Sequence, residues 1–155
     1  GVKVMAKFKY RLQPLLNIKI QKEDLIKIKL ANELKKLETE TAKLNFLIEK
    51  NNALINDYKK SLAKGLHVSK IQEYNVYFSI MDRKIEEQRL YINIIRKNVD
   101  KIRDELIKIS QERKMLEKLK AKKLEELRIS MLRDEQKLID ELVSYKENLK
   151  LAGEI

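Results

Sequence analysis

The chain has 155 residues, of which 38% are charged and 43% hydrophobic, with three glycines, one proline and a net charge of +11. Globular domains have about a quarter of their residues charged, so this composition is typical of long helices or coiled coils. The absence of cysteine excludes disulfide bonds and thiolate metal sites, and no stretch reaches the roughly 18 apolar residues of a membrane span.

Positive charge is concentrated near the start of the chain. Residues 1–30 hold eight Lys or Arg against two acids, whereas residues 111–155 hold eleven against ten. A basic end attracts acidic protein surfaces, nucleic acid or anionic lipid. The first 30 residues lack the apolar core of a signal peptide, so we expect a cytosolic protein. Residues 1–4 precede Met5 and are either a native extension or a remnant of added sequence.

Pro14, the only proline, predicts where the first helix begins. Proline is tolerated in the first turn of a helix and breaks it later, so this helix should span about 12–63. Along it, apolar residues recur at spacings of three and four, as in helices that pair. The series is Leu30, Leu34, Leu37, Thr41, Leu44, Ile48, Asn51, Ile55, Tyr58 and Leu62.

A break in this pattern at residues 64–69 predicts the tip of an antiparallel helical hairpin. Gly65 can end the first helix because glycine adopts positive φ without strain. Ser69 is the expected N-cap of the next helix, with Gln72 completing a capping box. His67, the only histidine, is expected to be an exposed turn residue.

The second helix is expected from about 70 to 150. Fourteen of its positions keep the spacing of three and four without interruption, and twelve of them are apolar. They are Ile71, Tyr74, Phe78, Met81, Ile85, Gln88, Ile92, Ile95, Val99, Ile102, Leu106, Ile109, Arg113 and Leu116. These positions and the series on the first helix form the apolar seam, which can be buried only against another helix. We therefore predict an all-α fold, a long two-helix antiparallel coiled-coil hairpin forming one rod domain over 1–155.

The second helix is longer than the first, so about 28 residues at its end should overhang. A stutter across residues 116–124 shifts the apolar positions, which locally unwinds a supercoil. The apolar positions become Leu124, Met131, Leu138, Leu142, Tyr145 and Leu149. This stripe needs a partner, which could be a second copy through self-association over 124–150, another protein, or the N-terminal segment.

Three polar residues interrupt the seam. Asn51 and Gln88 either fix the register of the two helices or are merely tolerated in a long seam. Arg113 lies near the open end of the hairpin, where its side chain can extend to water.

Two surfaces could bind partners. Aromatic residues cluster near the tip, where they form either a partner site or a locally wider core. Two basic stretches that are far apart in the sequence converge at the open end of the hairpin, by coincidence or as a docking surface. The basic residues are Lys7, Lys9, Arg11, Lys19, Arg113, Lys114, Lys118, Lys120, Lys122 and Lys123.

No enzyme signature is visible. A single histidine excludes a histidine metal cluster, and its expected place on the exposed tip argues against a Ser-His-Asp set. Three widely separated glycines exclude a phosphate-binding loop. We expect no catalytic activity, no metal and no cofactor.

Residues 8–16, FKYRLQPLL, resemble the opening F-x-Y-R-L-Q-x-L-L of the flagellar FliJ family. Residues 112–120, ERKMLEKLK, are similar to the family's E-R-K-x-L-E-K-L-K stretch, and residues 135–141 give a weaker third match. The length and the hairpin plan agree over nearly the whole chain.

The resemblance implies a soluble component of the flagellar type III export apparatus, a hairpin similar to the gamma-subunit stalk of rotary ATP synthases. Such proteins insert their terminal end into the ring of the export ATPase FliI, promote its assembly, contact the export-gate protein FlhA and handle export chaperones. The protein would be cytoplasmic and peripheral to the inner face of the cell membrane at the flagellar base, without inserting into the membrane.

By position, the resemblance assigns two sets of residues. The ATPase-binding set is Phe8, Tyr10, Arg11, Leu12, Gln13, Arg113, Lys114 and Lys118. The export-gate set is Leu47, Leu54, Tyr58, Tyr77, Phe78 and Met81.

Two other functions stay open. A generic coiled-coil scaffold or spacer would self-associate through its overhang and have no ATPase partner. Binding of nucleic acid through the basic end is the weaker hypothesis, because acidic residues are interspersed along most of the chain and no sequence-reading motif is present.

Overall fold

The computed structural model describes residues 8–153, which form two long helices and no strand. Helix α1 spans Gln13–Ala63 and helix α2 spans Val68–Leu151. The predicted all-α fold of two paired helices is confirmed. Residues 1–4 and Lys7, on which two expectations rested, lie outside the described residues.

Two compact units make up the chain. The tip unit is Glu23–Lys108, and the terminal unit combines the described parts of Gly1–Lys22 and Ile109–Ile155. Each unit pairs a stretch of α1 with a stretch of α2. The single rod domain over 1–155 stays a prediction.

The tip unit is an antiparallel helix pair. Tyr58, late in α1, packs against Tyr74, early in α2, whereas Glu40 contacts Gln88 further along. The predicted seam of α2 supplies its buried core. The buried residues are Met81, Ile85, Ile92, Ile95, Val99 and Ile102. The spacing of three and four therefore identified the packing face of α2 correctly.

The seam of α1 differs from the prediction at several positions. Glu23 is only 4% exposed and forms an ion pair with Lys27 at 3.2 Å between Oε1 and Nζ. Glu33 is half-buried, whereas Leu34 and Leu62, two predicted seam positions, are exposed. A straight helix drifts by about 20° per heptad from a strict seven-residue repeat, which rotates some apolar positions outward and neighbouring acids inward.

The polar seam residues divide between the two interpretations. Gln88 Nε2 donates hydrogen bonds to the main-chain oxygen of Glu40 at 2.9 Å and to its Oε2 at 2.7 Å. These bonds join the two helices, as register fixing requires. The buried Oδ1 of Asn51 accepts no hydrogen bond from the described residues. Gln88, rather than Asn51, has the contacts of a register-fixing residue.

In the tip loop, Gly65 follows the end of α1 as predicted, but the N-cap of α2 is not Ser69 as predicted. Gly65 has φ of 88° and donates its N–H to the carbonyl of Leu62. Helix α2 begins at Val68, so Ser69 is already inside it. The N-cap is His67, whose Nδ1 accepts the Ser69 N–H at 3.2 Å. The imidazole nitrogen reaches the free N–H much as an asparagine oxygen does, so the exposed His67 replaces Ser69 as the cap.

Candidate functional site

The segment before α1 is held against α2 in the terminal unit. The Tyr10 hydroxyl donates a hydrogen bond to the carbonyl oxygen of Leu116 at 2.9 Å, and the Phe8 ring stacks on Tyr10 at 6.4 Å between centroids. The Gln13 N–H then donates to the Tyr10 carbonyl as α1 begins. Pro14 fits in this first turn because its missing N–H would have no partner within the helix. Residues 8–12 are thereby positioned on α2.

This placement creates a groove with a volume of ≈ 640 Å³, which we call the basal groove. Its lining is mostly apolar, with cationic side chains at the edge. The lining residues are Phe8, Lys9, Tyr10, Arg11, Leu12, Leu119, Lys123 and Leu127. Such a groove can accept an apolar side chain from a partner while its cations contact neighbouring carboxylates.

The cations around the groove are not equivalent. Lys9 and Arg11 are exposed and form no ion pair within the described part of the chain. Lys123 lies 3.7 Å from a carboxylate oxygen of Glu126 in its own helix. Lys19, by contrast, is engaged with Glu112 at 2.7 Å. Most of the uncompensated positive charge at the groove therefore comes from the segment before α1.

Half of the predicted ATPase-binding set lies together in the basal groove, namely Phe8, Tyr10, Arg11 and Leu12. Gln13 starts α1 and donates to Asn17 Oδ1 at 2.8 Å. The remaining three residues, on α2, do not line the groove. Arg113 pairs with Glu117 at 2.8 Å, and Lys114 and Lys118 are exposed.

Sequence reasoning did not include three groove residues on α2, Leu119, Lys123 and Leu127, in the set. They recur every four residues, which places them along one side of a helix. A signal was available, because the stutter across 116–124 predicts a shift of the inward face. That signal identifies Leu127, one helical turn after Leu124, but not Leu119 or Lys123, which lie outside the shifted series.

The aromatic residues near the tip pack across the two helices of the tip unit. Tyr58 lies 5.0 Å from Tyr74 and 5.4 Å from Phe78 between ring centroids, and Tyr74 and Phe78 are 6.2 Å apart. The Tyr58–Phe78 pair has the edge-to-face arrangement that aromatic rings favour. All three rings are half-buried, so this cluster contributes to the packing of the tip unit.

Three other members of the export-gate set share a shallow groove of ≈ 540 Å³. Tyr77 is 59% exposed at its edge, Met81 is buried, and Leu54 belongs to α1. Leu47 lies instead in a separate groove of ≈ 800 Å³ beside Phe46. Phe46 is 64% exposed and was not in the predicted set, because it falls opposite the seam of α1.

The described residues contain no helix long and apolar enough to cross a membrane. Within the same residues, no group of His, Asp and Glu side chains is arranged to hold a metal ion.

The profile of the protein family described as "Flagellar FliJ protein" matches residues 8–150, nearly the whole chain. No curated protein and no solved structure matches the chain individually. The matched region begins at Phe8, where the resemblance in residues 8–16 begins and where the basal groove is built. The predicted resemblance is therefore confirmed, and the chain belongs to the FliJ family of flagellar export components.

Proposed function

We propose that the protein is a non-enzymatic component of the flagellar type III export apparatus that docks its terminal unit into the ring of the export ATPase FliI. The observation that supports this proposal best is the basal groove, where an apolar lining lies beside the exposed cations Lys9 and Arg11. Such a surface suits an acidic loop that also presents an apolar side chain.

The charge distribution favours an acidic partner. The chain has a net charge of +11, and its first 30 residues hold eight basic residues against two acidic ones. Long-range attraction raises the rate of encounter with an acidic ring opening, and the apolar part of the groove then excludes water from the contact. Gln13, Arg113, Lys114 and Lys118 of the ATPase-binding set would add contacts outside the groove.

Docking would act by preferential binding. A ligand that binds the assembled ring more tightly than free subunits shifts the equilibrium toward the ring, without a catalytic group of its own. The protein would thus promote FliI assembly and raise its hydrolysis rate.

A second contact is proposed for the tip unit. The groove that contains Leu54, Tyr77 and Met81 would bind the export-gate protein FlhA, with Leu47, Tyr58 and Phe78 nearby in the set. Export chaperones are the third class of proposed partner, and no residues are assigned to their binding. These contacts would keep the protein in the cytoplasm, peripheral to the inner face of the membrane at the flagellar base.

The decisive experiment measures ATP hydrolysis by the cognate FliI with increasing amounts of the protein. The test variant combines Arg11→Glu with Lys123→Glu, which reverses two charges of the basal groove. The matched control combines Lys97→Glu with Lys101→Glu on α2 of the tip unit, giving the same change in net charge. We expect the groove variant to need about tenfold more protein for half-maximal stimulation, a difference of ~1.4 kcal/mol.

Three outcomes separate the alternatives. Equal loss in both variants would indicate attraction by net charge alone, contrary to a defined docking groove. No stimulation by the folded wild-type protein, with a competent ATPase, would favour the generic scaffold. Affinity for duplex DNA that falls steeply with salt would instead favour nucleic-acid binding.

A further inference from the structure

The last part of α2, residues 128–151, which we call the overhang, has an exposed apolar face. Every residue from 132 to 148 is exposed. Six large apolar side chains there are each 51–61% exposed. They are Leu132, Leu138, Ile139, Leu142, Val143 and Tyr145. A helix of this length is marginal in water by itself, so covering this face would stabilise it.

These side chains share one side of the helix. Leu138, Leu142, Tyr145 and Leu149 keep the spacing of four and three that gives a seam on a helix. Ile139 follows one residue after the first of them and widens the seam on one flank. Ser144 is two residues from Leu142, about 200° around the helix, and so lies on the opposite side.

The charge of the overhang indicates which occupant fits. Residues 128–151 hold five basic and five acidic residues, a net charge of zero, whereas residues 1–127 hold 30 basic against 18 acidic, a net of +12. Over residues 1–127 taken together, two copies of so basic a chain repel each other. In the overhang they can approach without net repulsion, while an acidic partner would gain no net attraction there.

We propose that the overhang pairs antiparallel with the overhang of a second copy, about a twofold axis near Asp140. This register places Leu138 of each copy against Leu142 of the other, and Met131 against Leu149. It also places Glu135 of each copy opposite Tyr145 of the other, whose hydroxyl can donate to the carboxylate. A parallel pair would instead place Glu135 of one copy beside Glu135 of the other, where the like charges repel. The pairing does not depend on the proposed ATPase contact.

Sedimentation velocity over a range of protein concentrations tests the pairing. Leu142→Glu places a charge in the middle of the apolar face, and Ser144→Glu adds the same charge on the opposite side. We expect the wild-type protein and Ser144→Glu to dimerise, and Leu142→Glu to need at least about tenfold higher concentration. Both sites are exposed, so circular dichroism should show an unchanged tip unit. A wild-type protein that is monomeric at about 100 µM would overturn the proposal, as would a dimer unaffected by Leu142→Glu.

Engineered cysteines test the orientation, since the natural chain has none. Met131→Cys mixed with Leu149→Cys should give a mixed disulfide dimer on mild oxidation, because the antiparallel register brings these positions together. Either variant alone should crosslink poorly. Efficient crosslinking of each variant with itself would indicate a parallel pair and contradict the proposed register.

Discussion

Ile95 offers a direct test of the buried seam, because its neighbour Ile94 is a natural control. Ile95 is 1% exposed in the tip unit, whereas Ile94 is 57% exposed. Ile95→Ala removes three buried carbons, a transfer cost of ~2.4 kcal/mol at ~0.8 kcal/mol per carbon, with a further cost for any cavity left behind. Alanine's better helix propensity returns up to about 0.7 kcal/mol. We expect a loss of about 2–4 kcal/mol in the free energy of unfolding.

Ile94→Ala removes the same atoms and gains the same helix propensity. The difference between the two variants therefore isolates burial, and we expect Ile94→Ala to change stability by less than about 0.5 kcal/mol. Urea unfolding followed by far-ultraviolet circular dichroism measures both values, provided that the transitions keep the same slope with denaturant. Similar losses in the two variants would show that the face of α2 containing Ile95 is not the one packed on α1.

Three further predictions concern polar contacts. The hydrogen bond from Gln88 lowers the pKa of the Glu40 carboxyl, with help from a neighbouring lysine. A lowered pKa in the folded state gives stability at neutral pH that is lost as the pH falls below the ordinary glutamate value of about 4.3. The stability gap between wild type and Gln88→Met should thus narrow from pH 7 to about pH 3, and a constant gap in urea unfolding would contradict this linkage. At the tip, His67→Ala should cost about 1 kcal/mol in unfolding free energy and His67→Asn much less; equal losses would argue against the cap. In the terminal unit, Tyr10→Phe removes a bond worth about 1 kcal/mol to an α2 carbonyl, so trypsin should cleave after Arg11 faster, and an unchanged rate would mean that this bond does not hold the segment.

The fold could be predicted from the sequence because buried residues recur at regular spacing along paired helices. Two helices exclude water only along matched stripes, so the spacing from Ile71 to Leu116 identified the inward face of α2 without any contact being known. Gly65 likewise marked the turn, because its positive φ is strained for other residues.

Other features have no comparable periodic signal. Glu23 looks like any exposed acid in a charged helix, yet it is buried in the structure. Serine has a stronger preference than histidine for the N-cap, so the sequence favoured Ser69 over His67 as the cap of α2. Residues 8–12 precede Pro14 and have no helical repeat, so nothing in their spacing shows that Tyr10 bonds to α2. The basal groove depends on that bond and on α2 residues beyond Leu116 that lie outside both apolar series.

These failures of the pattern coincide with the surfaces proposed to bind partners. Most residues of the regular seam pack against the other helix, so they have little surface left with which to contact another protein. Surfaces that bind partners must therefore come mainly from residues outside the regular seam. These are the segment before Pro14, the residues after the stutter, an off-seam aromatic such as Tyr77, and the overhang. In a helix pair of this kind, we expect function where the regular apolar spacing is interrupted, because the residues that keep the spacing are needed to pack the two helices.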